Sequence, residues 1–192
     1  MKNLIISLIC IFVSTNLFAS SDISTEIKDI PHYKFYPKTE PKLYEGEILD
    51  FYSVKTPYGE FSNFALFPLF MDGKFWPSSE HYYQAQKFLT EDLQELIRNA
   101  KTPFEAATIA RGKEMPVRDD WDDIKDGIME KVVREKFTFY PVLTELLLST
   151  NNSKIYEHTK NDCYWADCLD RTGKNKLGII IEKVREELKN PK

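Results

Sequence analysis

The chain has 192 residues, enough for one domain with a sizeable core. An aromatic content of 14% and only 7 glycines exclude a disordered or repetitive polymer. A formal charge of −4 and a pI near 5.5 exclude the basic surface that coats nucleic acid, but not a pocket that takes one modified nucleotide.

Lys2 and an apolar run from Leu4 to Val13, interrupted only by Ser7, read as a secretory signal over residues 1–19, cleaved after Ala19. Ser14, Thr15 and Asn16 stop the run short of the roughly 20 apolar residues that a membrane anchor needs. Cys10 has no small residues before it, which argues against a lipid anchor. The expected location is therefore periplasmic or secreted, with no membrane association after cleavage; an uncleaved start would leave a cytoplasmic protein. Loss of Lys2 takes the net charge from −4 to −5.

Residues 20–46, with Pro31, Pro37 and Pro41 among charges and aromatics, read as an extended leader. A domain is expected over 47–190. It starts with strand character from Glu47 to Val54, a turn at Pro57-Tyr58-Gly59, and an aromatic stretch from Phe61 to Phe70 in which Ser62 and Asn63 are the polar residues. Met71-Asp72-Gly73-Lys74 predicts a tight hairpin.

Ser78 predicts the N-cap of a helix carrying Glu80, Tyr83, Gln84 and Lys87 on one stripe, bordered by Tyr82, Phe88 and Trp76. A charged stripe is by itself the mark of a solvated face. The aromatics around it are what a pocket that stacks a planar base requires. Thr90 predicts a second helix burying Leu93, Leu96, Ile97 and Ala100. Thr102-Pro103-Phe104-Glu105 reads as a capping box opening a third, which runs to Gly112 with Arg111 in its last turn. Asp119 or Asp120 caps a fourth that buries Trp121, Ile124, Ile128, Val132 and Phe137. Pro141 starts a fifth with Leu143, Leu146 and Leu147, and a closing helix from near Asn175 buries Leu177, Ile180, Ile181, Val184 and Leu188. The pattern predicts an α+β fold: a mainly helical single domain with a small group of short strands.

GEFSNF at 59–64, WPSSEHYYQAQKF at 76–88, ARG at 110–112, HTKNDCYW at 158–165 and GKNKLG at 173–178 follow one another in this order. In wording, order and spacing they closely resemble the NADAR superfamily, the YbiA-like N-glycosidases, from about Ile48 to Leu188. The resemblance implies hydrolysis of an N-glycosidic bond, on riboflavin-pathway intermediates or on ADP-ribose attached to guanine. It implies no cofactor and no metal. The partners it implies are a phosphorylated N-riboside or ADP-ribosyl-guanine in nucleic acid; the oligomeric state is not read from it.

By the same resemblance Glu80 and Asp162 are the catalytic acids, and Ser62, Asn63, Lys87, Arg111, Trp121 and Trp165 contact substrate. Such a site needs negative charge beside an oxocarbenium-like sugar, an activated water and a stabilised leaving base. Glu80 would position or deprotonate the water, and Asp162 would contact the sugar or the base. Each residue also has an ordinary use: Arg111 as a cation at a helix end, Trp121 as core, Asp162 as a turn acid. For Glu80, a first-turn position near Lys87 favours the carboxylate, and burial against Trp76 and Tyr82 the neutral acid.

The chain departs from its relatives after Trp165, where Ala166, Cys168 and Leu169 stand in place of glycines. Cys163 and Cys168 can pair in an oxidising compartment or stay as two free thiols. His158 and these cysteines lack zinc-site spacing. Two rival functions remain: a module that holds ADP-ribose or a related nucleotide without cleaving it, and an exported interaction protein built on the same scaffold.

Overall fold

The computed structural model describes residues 39–190. The expected signal and most of the leader lie outside the described residues. The last residues of the leader lie on the domain: Thr39 donates from its N–H and its hydroxyl to Glu60, at 2.7 and 2.9 Å, and Tyr44 packs edge-on against Tyr58.

The strands are β1 (Ile48–Phe51), β2 (Leu69–Met71), β3 (Lys74–Trp76) and β4 (Lys154–Glu157). The helices are α1 (Ser79–Ala85), α2 (Glu91–Arg98), α3 (Pro103–Ala110), α4 (Trp121–Phe139), α5 (Pro141–Ser149) and α6 (Lys176–Lys189). The strands form two separate pairs. β2 and β3 are an antiparallel hairpin whose two-residue turn, Asp72 and Gly73, has positive φ at both positions, as the twist of a tight hairpin demands. β1 pairs in parallel with β4, setting Phe51 opposite Glu157 across a connection that contains five helices. β4 had no counterpart in the sequence reading.

α1 is the hub, packed on β3, α2, α3 and α4, and all seven of its residues are buried. The solvated-face reading of its stripe therefore does not hold. A polar helix can sit inside only if its groups are partnered. Ser78 Oγ accepts from the His81 N–H and donates to His81 Nδ1 at 2.8 Å, while His81 Nε2–H donates to the Ala100 carbonyl at 3.2 Å. Burial holds that imidazole neutral, its pKa lowered to about 4. Tyr82 donates to Asp72 at 2.7 Å, tying the hub to the hairpin turn.

One apolar core joins Leu49, Phe61, Trp76, Phe88, Ile97, Val132, Phe137, Leu146 and Ile181. Several local expectations need correction. Leu96 is 49% exposed: α2 buries Ile97 fully and Leu93 only partly, and half-buried Ala100 lies beyond its end at Arg98. α3 ends at Ala110, so Arg111 is its C-cap and Gly112 lies beyond it. Thr102 accepts from the Glu105 N–H, but Glu105 reaches back to the Lys101 N–H rather than to Thr102. Thr90 and Asp120 occupy N-cap positions without side-chain capping bonds; Asp120 instead pairs with Arg118. Trp121, Ile124, Ile128 and Leu188 are only half-buried.

α6 lies directly on β4. A Cβ on Gly178 would meet the Ile155 carbonyl oxygen, so only glycine permits this approach. Asn175 at the start of α6 donates to the Ile155 carbonyl at 2.8 Å and accepts from the Glu157 N–H at 3.2 Å, clamping the end of the strand.

Candidate active site

A cavity of about 640 Å³ opens between α1, α4, the end of β4 and the loop that follows it. Seven of the eight residues expected at a site line it: Glu80, Asp162, Asn63, Lys87, Arg111, Trp121 and Trp165. Ser62 does not. It is buried in the turn before Phe64, its hydroxyl accepts from the Phe64 N–H at 3.2 Å, and its carbonyl accepts from Lys136 at 2.8 Å. A second depression, about 410 Å³ between β4 and α6, is lined mainly by polar and charged side chains such as the Lys154–Glu182 pair, and offers no aromatic wall.

One wall is aromatic. The Tyr83 ring lies 5.1 Å from Trp121 and 5.5 Å from Trp165, in tilted and edge-on contacts. The Lys87 ammonium stands 5.8 Å over the Trp121 ring, a cation–π contact. Neither Lys87 nor Arg111 has an ion-pair partner among the described residues, so both charges are available to an anionic ligand.

Glu80 sits at the floor. Gln84, one turn on, donates to its Oε1 at 2.7 Å. Burial pushes the carboxyl up, against Gln84, Arg111 and Lys87, with Asp162 adding to the rise. Of the two tendencies read in the sequence, burial is the larger. The same burial lowers Lys87, opposed by Glu80, and raises the Tyr83 phenol.

Asp162 is presented by the loop. Its Oδ1 accepts the N–H groups of Tyr164 and Trp165, each at 2.7 Å, an arrangement that lets a short acid set its own turn. No hydrogen bond reaches Oδ2 among the described residues, which leaves that oxygen for a ligand. The loop is fastened to α4 through Tyr164, which donates to Asp126 at 2.7 Å. Asp167, fully buried, accepts from His158 and from the N–H groups of Thr159 and Leu169.

The two departures from glycine at 168 and 169 keep the backbone that glycine would take: φ is 65° at Cys168 and 68° at Leu169. Left-handed conformation costs a non-glycine residue about 1–2 kcal/mol. The restraints that hold it here are the Asp167 bonds and a disulfide between Cys163 and Cys168, the paired alternative of the sequence reading. Ala166 is buried without positive φ.

Sequence reasoning did not single out Glu157. It lines the cavity from the end of β4, and its carboxyl has no hydrogen-bond partner among the described residues. The available signal was the two-residue spacing from buried Ile155, which puts both on one face of a strand. Among the described residues, no three His, Cys, Asp or Glu side chains converge as a metal site.

Residues 50–189 match the NADAR domain family. The chain is 47% identical over 144 residues to the N-glycosidase YbiA of Shigella boydii, covering 75% of this chain and 90% of that one. It is 41% identical over 138 residues to a riboflavin biosynthesis protein of Vibrio vulnificus, covering 72% of this chain and 38% of that one. The solved NMR structure of the Escherichia coli protein YbiA superposes with a TM-score of 0.72 at 43% identity, over 80% of this chain and 92% of that one.

Proposed function

The chain belongs to the NADAR family, and from that premise we propose that it hydrolyses the C1′–N bond of a phosphorylated, ribosylated heterocycle. It is a hydrolase acting on N-glycosyl compounds. The substrate in this reading is a riboflavin-pathway intermediate or ADP-ribosylated guanine. The observation that carries the reading is one cavity with Glu80 and Asp162 against a Trp121–Tyr83–Trp165 wall and two cations, Lys87 and Arg111, without ion-pair partners among the described residues.

In this reading the base stacks on the aromatic wall, and the cations hold a phosphate on the ribose. Two buried acceptors at the cavity, Asn63 Oδ1 and Gln84 Oε1, lack protein donors among the described residues. A heterocycle rich in N–H groups would supply them, since an unpaired buried acceptor costs about 1–3 kcal/mol. Glu80 takes the proton of the attacking water as its charge counters the oxocarbenium-like sugar, and a carboxyl raised toward neutrality suits a general base. Asp162 binds a ribose hydroxyl through Oδ2. Identity to a riboflavin biosynthesis protein supports the first substrate class.

Export belongs to the same proposal. The Cys163–Cys168 bridge supports an oxidising compartment. Ribosylaminopyrimidine phosphates, NAD and ADP-ribosylated guanine in DNA, screened by mass spectrometry with wild type and Glu80→Gln, test the activity. Cleavage of one of them by wild type and its loss, about 10²–10⁴-fold, in a folded variant is expected. Tight ADP-ribose binding by both proteins with no cleavage would replace the enzyme with a binding module.

A further inference from the structure

We propose that Glu157 is the proton donor to the departing heterocycle, from its place at the end of β4 on the cavity that Glu80 and Asp162 share. This inference rests on the N-glycosidase reading.

The backbone of Glu157 is fixed on both sides: its N–H donates to Asn175 Oδ1 at 3.2 Å and its carbonyl accepts from the Asp167 N–H at 3.1 Å. Its side chain is thus delivered by a clamped strand end, and its carboxyl lines the cavity without a hydrogen-bond partner among the described residues. Glu80 and Glu157 sit in opposite electrostatic surroundings. Arg111, Lys87 and the Gln84 amide act on Glu80. The charges that act on Glu157 are all negative, Asp162, Glu80 and Asp167. Burial, reinforced by these three, pushes its carboxyl up to about 8, so it keeps its proton at neutral pH. Two carboxyls with differing surroundings in one cavity divide the work of acid and base. Asp162 is less suited to the donor's part, because its Oδ1 already accepts two N–H bonds.

The step balances. The C1′–N bond breaks, and the nitrogen keeps the electron pair and takes the Glu157 proton. The water oxygen bonds to C1′ and its proton passes to Glu80. Ribose phosphate and the free base leave, Glu157 regains a proton from solvent, and Glu80 returns one.

Leaving-group dependence separates a proton donor from a structural acid. The probes are a ribosylaminopyrimidine 5′-phosphate, whose base must be protonated, and 4-nitrophenyl ribofuranoside 5-phosphate, whose phenolate departs without a proton. Glu157→Gln should lower kcat on the first by about 10²–10⁴-fold and on the second by less than about tenfold. Glu80→Gln should lower both. In wild type, kcat should fall as pH rises through about 8 on the first probe only, which tests the donor without any variant. Equal losses of Glu157→Gln on both probes, no loss on the first, or the same alkaline limb on both, would overturn the assignment. Wild type that cleaves neither probe, nor NAD nor ADP-ribosylated guanine in DNA, would remove the N-glycosidase reading beneath it, whereas a loss confined to Glu80→Gln would remove only the role of Glu157.

Discussion

Replacing Lys136 by Met should change the sign of its effect on stability between acid and alkaline pH. Lys136 lies in α4, fully buried, with the Ser62 carbonyl as its hydrogen-bond acceptor at 2.8 Å and the Phe67 and Phe137 rings 5.4 and 5.7 Å away. Burial lowers its pKa from 10.5 to about 7, with Glu60 opposing. Between those values the unfolded chain holds a proton that the native protein lacks, so stability rises with pH through that window. One proton gives about 1.4 kcal/mol per pH unit, hence on the order of 5 kcal/mol across it. Below about pH 7 both states are protonated and the cost of the buried charge is fully present. Methionine removes that charge at similar volume and leaves the Ser62 carbonyl with one donor, the Ala65 N–H at 3.1 Å, so the lost bond costs about 0.5–1.5 kcal/mol. The variant should therefore be more stable than wild type by roughly 3–5 kcal/mol at pH 6 and less stable by about 0.5–1.5 kcal/mol near pH 10.5. Urea unfolding followed by circular dichroism at both pH values measures the difference, in which every other titrating group cancels. A difference that does not change with pH would refute the buried-charge argument.

Leu169→Gly should raise stability by about 0.5–1 kcal/mol, because φ is 68° at a half-exposed position and glycine relieves the left-handed strain; an unchanged or lower Tm contradicts this. Replacing both Cys163 and Cys168 by Ser should cost about 2 kcal/mol by the chain-entropy account. It should also lower kcat, since Asp162 precedes the bridge and its carbonyl accepts from the Cys168 N–H; full activity in the double variant would detach the bridge from the site. Arg111→Met should raise KM for a 5′-phosphorylated riboside by roughly 10–150-fold, matching one charge-assisted bond, and leave the dephosphorylated riboside unchanged. Equal effects on the two would remove the phosphate role.

Features that depend on neighbours in sequence were legible before any coordinates. Ser78 and Thr102 start helices through bonds to residues three places on, Pro141 opens α5, and Asp72-Gly73 makes its hairpin from local φ preferences. The motif order was sufficient to indicate the family, and the helical spacing of Glu80, Tyr83, Gln84 and Lys87 put four cavity residues on one line. What spacing could not say is which side of that line is wet. Glu80 and Gln84 look like solvent-facing residues until α1 is enclosed by α2, α3, α4 and β3. Asp119 or Asp120 was expected to cap α4; Asp120 holds the N-cap position, but Arg118 competes for its carboxylate. Ser62 sits in the same motif as Asn63, yet it is turned away from the cavity by its own turn, with its carbonyl taken by Lys136. Glu157 was invisible for the same reason: β4 is four residues long and exists by pairing with β1, far away in the chain. Capping and turn energies act within a few residues, so the sequence carries them openly; burial, charge neighbours and strand pairing act across the fold, so only the tertiary structure brings Glu157 to the cavity where Glu80 and Asp162 stand.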